Sequence, residues 1–300
     1  MSRDLMLVAT REKGELMKVL VTGGKGMLGR TLKQVLGKDF KIVAIDVDDV
    51  DITDKKAFSQ FIQHAHPDVV IHCAAFTNVD KCEEAVDLAY QVNEQGTANV
   101  AKACQKYGAR LIAISTDYVF DGNLNRPYNE FDTATGGATV YGQSKFAGEE
   151  QVRKNCLNHC ICRISWLYGP GGPSFVHAML GLADGTRSVL KVVADQHGNP
   201  TSTFAVAQQL KHLLLRPELR GTFHMTCEGE ATWADFAKEI FHLANKKQVI
   251  QPCSTEEFPR PAPRPKNSRL EKRMFSMVGL PVMPDWRQAL AEFMAFYPNI

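Results

Sequence analysis

The chain has no long apolar run. Its longest, such as "DVVIHCAAF", are strand-sized and far short of the roughly 20 apolar residues that cross a bilayer. Runs of five or six like charges are also missing, and the formal net charge is only +2 at pH 7. Neither nucleic acid nor an anionic membrane surface is therefore an expected partner. The eight cysteines, Cys73, Cys82, Cys104, Cys156, Cys160, Cys162, Cys227 and Cys253, contain no C-x-x-C pair. A zinc site or a disulfide framework is not expected; free, mostly buried thiols in a reducing cytoplasm are. Internal repeats and low-complexity tracts are absent too. The stretch 1–16 has a short apolar patch but no long apolar core and no small-residue cleavage site. It reads as an N-terminal extension packed on the body or an upstream start, not a secretory signal.

What is present alternates strand and helix. "KVLVTG", "KIVAIDV", "DVVIHCAA", "RLIAISTDYVF" and "CICRISWLYG" read as strands. Between them, "MLGRTLKQVLG", "KKAFSQFIQHA", the long "AYQVNEQGTANVAKACQKYG" and "YGQSKFAGEEQVRKN" read as helices. Near-continuously apolar strands separated by single helices imply βαβ units, and hence an α/β doubly wound parallel sheet of Rossmann type covered on both faces. This dinucleotide-binding unit spans 17–170. From 171 to 300 the pattern loosens. "PSFVHAMLGLADG" and "TWADFAKEIFHLANKK" read as helices and "FPRPAPRPKNSRL" as a proline-rich loop. That half reads as a smaller substrate-binding cap, interleaved with the last strands of the sheet.

"VTGGKGMLG" places Gly23, Gly26 and Gly29 at three-residue spacing, after the first strand and opening the first helix. In that context glycines permit a tight turn and close backbone approach to a pyrophosphate, and the helix N-terminus offers free N–H groups. The turn residues Gly23, Lys25, Gly26, Met27, Leu28 and Gly29 are thus the candidate dinucleotide cradle. Asp46 ends the second strand, where an acid can bind the adenosine ribose diol and favours NAD(H). Lys25 and Arg30 are alternatives that could hold a 2′-phosphate, or plain surface charges. The cofactor is therefore NAD(H) or NADP(H). Ala74 and Ala75 end the third strand with side chains small enough for a dinucleotide to pass, or simply for strand packing.

Thr116 ends the fourth strand, 25 residues before Tyr141, at the sheet edge where open α/β folds bind ligands. Tyr141 and Lys145 share one helix face. A phenol near pKa 10 is a poor acid–base group at neutral pH, and a neighbouring ammonium should pull it toward the working range. With Thr116 bonding the substrate oxygen and the phenol, this trio can protonate an oxygen while a nicotinamide delivers hydride.

The ordered segments "VTGGKGMLG", "PDVVIHCAAFTNVDKCE", "VNEQGTANVAKAC", "STDYVFDG", "VYGQSKFAGE", "RISWLYG", "DQHGNPTST" and "RPKNSRL" together resemble the dTDP-4-dehydrorhamnose reductase family. This is a group of extended short-chain dehydrogenases/reductases, and the resemblance runs from Met17 to the C-terminus. It implies NAD(P)H-dependent reduction of a dTDP-linked 4-keto-6-deoxy sugar to dTDP-L-rhamnose, in the cytoplasm, by a protein that could pair as a homodimer. Thr116, Tyr141 and Lys145 then match the catalytic residues, and Asp51 and Ile52 flank the adenine. Asp117, Trp166, Pro200, Thr201, Arg264, Asn267 and Ser268 match positions at the nucleotide-sugar site, the arginine suiting a diphosphate. Trp166 also reads as a core aromatic, and "RPAPRP" as a rigid linker. Two departures stand out. Where the family reads close to "NPLNVYG", this chain has "TGGATVYG", so Gly136, Gly137 and Ala138 make a smaller, slacker approach to the site. Where some members carry a magnesium-binding glutamate in the first helix, this chain has Thr31, so no metal is expected.

Three other readings compete. A nucleotide-sugar dehydratase needs a glutamate after Asp117, where this chain has Tyr118. A 4-epimerase would use the same tyrosine and lysine but retain its NAD. A non-catalytic NADP-binding partner resembling the β subunit of methionine adenosyltransferase keeps the same residues without turnover.

Overall fold

The computed structural model describes residues 15–183 and 188–296. The reading of an N-terminal extension falls almost wholly outside those residues. Six parallel strands form the central sheet. They are β1 Lys18–Thr22, β2 Lys41–Ile45, β3 Val69–His72, β4 Arg110–Thr116, β5 His159–Ile164 and a sixth, Gly221–His224. Their spatial order is β2-β1-β3-β4-β5-sixth, so the chain reverses direction across the sheet between β1 and β3. Val69 lies beside Val19, and Leu111 beside both Val70 and His159.

β-strands send alternate side chains to opposite faces. Val19 and Val21 of β1 join one buried cluster with Leu28, Leu32 and Leu36 of the helix Met27–Leu36, and with the helix Thr203–Leu214. Leu20, between them, joins a second cluster with Phe58 and Ile62 of Lys55–Ala65 and Val100 and Cys104 of Thr97–Tyr107. Every residue of β3 and β4 is buried. A sheet covered on both faces explains why its strands are near-continuously apolar.

Helix ends follow local chemistry. Asp54 accepts N–H bonds from Lys56 and Ala57 at the start of Lys55–Ala65. Gly108 closes Thr97–Tyr107 in the left-handed conformation, with φ 74°. Three readings need correction. The strand expected through "DYVF" stops at Thr116, whose hydroxyl accepts the Tyr118 N–H and turns the chain into a 3-10 turn, Asp117–Val119. The strand expected through "WLYG" breaks at Trp166, which has φ 44°. The long helix is wound more widely over Gln91–Gly96, a π segment between Val86–Tyr90 and Thr97–Tyr107.

The second half supplies the sixth strand and a cap. Val189–Val193 pairs in parallel with Val249–Cys253, and the helix Trp233–Leu243 packs nearby. The helix read in "PSFVHAMLGLADG" spans Phe175–Leu182; its Asp184 and Gly185 lie outside the described residues. Among the described residues of this half, three further helices were not read from the sequence: Thr203–Leu214, Arg273–Met277 and Trp286–Phe296. All eight cysteines are free and seven are buried, Cys73 being half-buried.

Candidate active site

The glycine turn is built for close approach. Gly23 has φ 69°, and a Cβ there would sit 2.8 Å from the Ala74 nitrogen. A Cβ on Gly29 would sit 2.3 Å from the Gly23 carbonyl oxygen, so any side chain would push the helix away from the turn. Gly26 caps the helix Met27–Leu36 without a side chain, leaving first-turn N–H groups free to face an anion. Beneath the turn, Thr22 Oγ1 and His72 Nδ1 are 2.8 Å apart, and His72 Nε2 is 3.1 Å from Thr97 Oγ1. Burial holds His72 down to about 3, so the imidazole is neutral and serves as a polar clamp between β1 and β3.

The turn opens on a cleft of about 680 Å3. All the residues assigned to a dinucleotide from the sequence line it: Gly23, Lys25, Gly26, Met27, Leu28, Gly29, Asp46, Asp51, Ile52, Ala74 and Ala75. Tyr141 and Lys145 line the same cleft. A cradle with no room for a Cβ at Gly23 or Gly29, in a cleft lined by both Asp46 and Tyr141, suits a dinucleotide. At that end Asp46 Oδ2 accepts the Lys25 N–H at 2.9 Å, and Oδ1 accepts the Val47 N–H at 2.9 Å. The Lys25 ammonium pairs with Asp48, and Arg30 Nε donates to the Lys25 carbonyl at 2.7 Å. The two cations read as candidates for a 2′-phosphate are thus engaged locally.

The reacting groups stand on the helix Val140–Asn155, capped by Thr139, whose hydroxyl accepts the Gly142 N–H. Lys145 is buried and its ammonium donates to the Ile114 carbonyl at 2.8 Å; desolvation lowers it to about 8. Thr116 Oγ1 donates to Asp117 Oδ1 at 2.9 Å and also interacts with the Tyr141 phenol. The tyrosine differs from expectation. Burial pushes its phenol above the ordinary value, against the Thr116 hydrogen bond, and Lys145 is not among the groups that move it. The phenol is therefore protonated at neutral pH and poised to give a proton.

Several supporting residues were not read from the sequence. Glu149, one turn after Lys145, takes bidentate hydrogen bonds from Arg163 at 2.9 and 2.7 Å and one from Ser115 Oγ at 2.6 Å. Burial opposes its charge, but the Arg163 bonds prevail and hold it down to about 2. Its charge in turn favours the ammonium of Lys145. Asn93, fully buried in the π segment, exchanges both amide bonds with Phe76 and donates to Ser144 Oγ at 3.0 Å, tying the reactive helix to the cleft wall. A Glu or an Asn inside an amphipathic helix pattern carries no signal of this, because the partners come from distant strands.

The residues that the resemblance assigns to the sugar side are placed as follows. Asp117 is buried beside Thr116. Trp166 stacks on Trp233 with centroids 3.5 Å apart and donates from Nε1 to Ser268 Oγ at 3.1 Å. A Cβ on Gly198 would meet its ring at 2.3 Å. A left-handed tryptophan costs about 1–3 kcal/mol, a strain of the kind that gathers at functional sites. Pro200 and Thr201 are buried; Thr201 Oγ1 donates to the Asn199 carbonyl at 2.8 Å. Arg264 pairs with Asp80 at 2.9 Å, and Asn267 donates to the Leu124 and Arg126 carbonyls at 2.6 and 2.8 Å. None of these six lines the cleft that holds Tyr141. Thr31 Oγ1 donates to the Met27 carbonyl and lies 2.9 Å from Thr203 Oγ1, and the described residues contain no group of three or more potential metal ligands.

The "TGGA" segment is not slack. Gly136 and Gly137 have φ 89° and 63°, and Thr135 and Gly136 donate N–H bonds to the Val119 carbonyl at 3.0 and 2.9 Å. A Cβ on Gly137 would sit 2.4 Å from the Tyr118 carbonyl oxygen. The glycines let this loop press on the turn that carries Asp117.

This geometry can be set beside known proteins. The family described as "RmlD substrate binding domain" matches residues 17–298. A dTDP-4-dehydrorhamnose reductase of Streptomyces griseus is 41% identical over 280 residues, 91% of each chain. The chain belongs to the dTDP-4-dehydrorhamnose reductase family. A crystal structure of such a reductase from Clostridium acetobutylicum is similar at 43% identity and TM-score 0.91, covering 94% of this chain and all of that one. Another from Bacillus anthracis, in complex with NADP, has 40% identity and TM-score 0.90, covering 93% and 99%.

Proposed function

We propose that this protein reduces the 4-keto group of dTDP-4-dehydro-6-deoxy-L-mannose to give dTDP-L-rhamnose, using NADPH or NADH. The observation that carries this reading is that a protonated, desolvated Tyr141 opens into the same cleft as the glycine cradle. The family's named activity supports it, and so does the NADP bound to the Bacillus anthracis relative. We take 17–170 as the dinucleotide-binding unit and 171–300 as mainly the substrate-binding one. Free thiols and the lack, among the described residues, of a helix fit to cross a membrane suit a cytoplasmic enzyme.

The nicotinamide, when bound, supplies the hydride. The chain supplies the rest. Gly23, Gly26 and the first turn of the helix hold the diphosphate, and Asp46 the adenosine ribose. Tyr141 gives its phenolic proton to the carbonyl oxygen. Lys145 lies on the same helix face and lines the same cleft, its charge supported by Glu149. Thr116 orients the phenol. Asp117, Trp166, Pro200, Thr201, Arg264 and Asn267 border the sugar and its diphosphate, Arg264 exchanging Asp80 for phosphate.

The test couples the protein to dTDP-glucose converted in situ to the 4-keto sugar and follows loss of absorbance at the reduced nicotinamide band. Turnover is expected with the wild type, with Tyr141→Phe lowering kcat by at least about a hundredfold at unchanged thermal stability. No turnover with either cofactor, or a fully active Phe variant, would overturn the assignment. Stoichiometric NAD retained by the purified protein would point instead to a 4-epimerase.

A further inference from the structure

Tyr141 is the second residue of the helix Val140–Asn155, so whatever holds the first turn of that helix also places the phenol. The first N–H groups of a helix have no partner inside it. Thr139 serves this turn locally: its hydroxyl accepts the Gly142 N–H at 3.0 Å and its carbonyl the Gln143 N–H at 2.9 Å. Those bonds shape the turn but tie it to nothing beyond its own segment. The tie comes from 57 residues earlier, where Glu83 Oε1 accepts the Val140 N–H at 2.9 Å. Glu83 is half-buried on the short helix Val79–Glu84, which Asn78 caps. Phe76 and Thr77, just before that helix, line the cleft. A carboxylate on the positive end of a helix makes a stronger bond than a neutral acceptor does. Tyr141 therefore stands between two ties to one stretch of cleft wall. Glu83 holds the residue before it, and Asn93, bonded to both backbone groups of Phe76, holds Ser144 after it. The Tyr118 ring meets the Tyr141 ring edge-on, with centroids 5.5 Å apart.

We propose that Glu83 is a positioning residue for the reduction: by holding the Val140 N–H it fixes the Tyr141 phenol over the cleft. This rests on the reductase reading. Glu83 does not itself line the cleft, so it acts through the start of the reactive helix. Without its bond, the first turn keeps only its local bonds and is free to shift. Proton transfer needs the phenol within hydrogen-bond reach of the sugar oxygen, and a misplacement of about 1 Å can cost about a hundredfold in rate. The cradle at Gly23 and Gly29 stands on other elements, so cofactor binding is left intact.

Steady-state rates with the 4-keto sugar made in situ separate this role from a merely structural one. Glu83→Ala should lower kcat about tenfold, with the KM of the reduced cofactor within about twofold of wild type. Glu83→Gln keeps an acceptor oxygen and should hold kcat within about threefold of wild type. Val140→Pro removes the donor instead. Proline suits the first position of a helix, and Thr139 is already extended at φ −114° and ψ 150°, as a residue before proline must be. This variant should lose about as much kcat as Glu83→Ala, and adding Glu83→Ala to it should cost less than about twofold more. Glu83→Ala with wild-type kcat, Glu83→Gln as impaired as Glu83→Ala, or additive losses in the double variant would each overturn the proposal. So would a cofactor KM that rises as kcat falls, because the cleft wall itself has then moved. If Glu83→Ala does not fold, Val140→Pro decides alone: a tenfold loss of kcat supports the role and wild-type kcat overturns it. Absence of any turnover by the wild type instead overturns the reductase reading, and this role with it.

Discussion

Residue types at a few positions decide the chemistry, because each sits where burial changes what it can do. Tyr141 and Lys145 are surface-type residues by composition, yet desolvation raises one phenol and lowers one ammonium in the same cleft. Asp46 decides something else. Both its oxygens face N–H groups at the adenosine end, and Asp48 neutralises the nearby Lys25 ammonium. A 2′-phosphate entering there meets the Asp46 and Asp48 carboxylates, with the Lys25 ammonium already paired. Asp46→Ala should therefore raise affinity for NADPH relative to NADH by about tenfold, a change of about 1.4 kcal/mol. Fluorescence titration of both reduced cofactors checks this. An unchanged affinity ratio would show that Asp46 does not select the cofactor.

Elements turn these residues toward one another, and here legibility divides. The glycine turn and the Tyr-x-x-x-Lys helix were readable because both depend on short-range spacing. The Asn93 clamp and the Glu149–Arg163 pair were not, because each joins segments that meet only after the sheet forms. The turn after β4 was read as more strand because "DYVF" has strand composition. A single side-chain bond from Thr116 overrides that preference. The widened segment Gln91–Gly96 was invisible for a related reason, since its sequence is ordinary helix. The "TGGA" departure was visible but misread. Smaller residues suggested slackness, whereas left-handed glycines and missing Cβ atoms allow tight contact. Gly137→Ala must strain φ and displace the Tyr118 carbonyl. It should destabilise the protein by about 2 kcal/mol or more, read as a lower denaturant midpoint. An unchanged midpoint would contradict the packing described.

For the molecule as a whole, a parallel sheet covered on both faces followed from alternating apolar segments, whereas its strand order and three helices of the second half went unread. Thr203–Leu214 and Trp286–Phe296 are no shorter than Met27–Leu36, which was read, but the segments they pack on come from far along the chain. The buried ionisable groups set the protein's acid tolerance. His72 and His224 are held down to about 3 by burial, so below about pH 6.5 the unfolded chain binds protons that the folded one does not. Stability from each should fall by about 1.4 kcal/mol per pH unit below that point, while Asp117, pushed up to about 7 by burial, offsets one of the two down to about pH 4. Glu149, held down to about 2, adds a further loss below about pH 4.5. Urea unfolding between pH 7.5 and 4.5 should show this decline; a flat profile would mean these groups are not buried as described.

The most direct test of the central claim follows the hydride itself. Reduced nicotinamide carrying deuterium at its transferable position is supplied with the 4-keto sugar made in situ, and the product is read by NMR. The account predicts dTDP-L-rhamnose with deuterium at C4 from the wild type and almost none from Tyr141→Phe. Deuterium left on the nicotinamide, or a sugar product without label at C4, would contradict it.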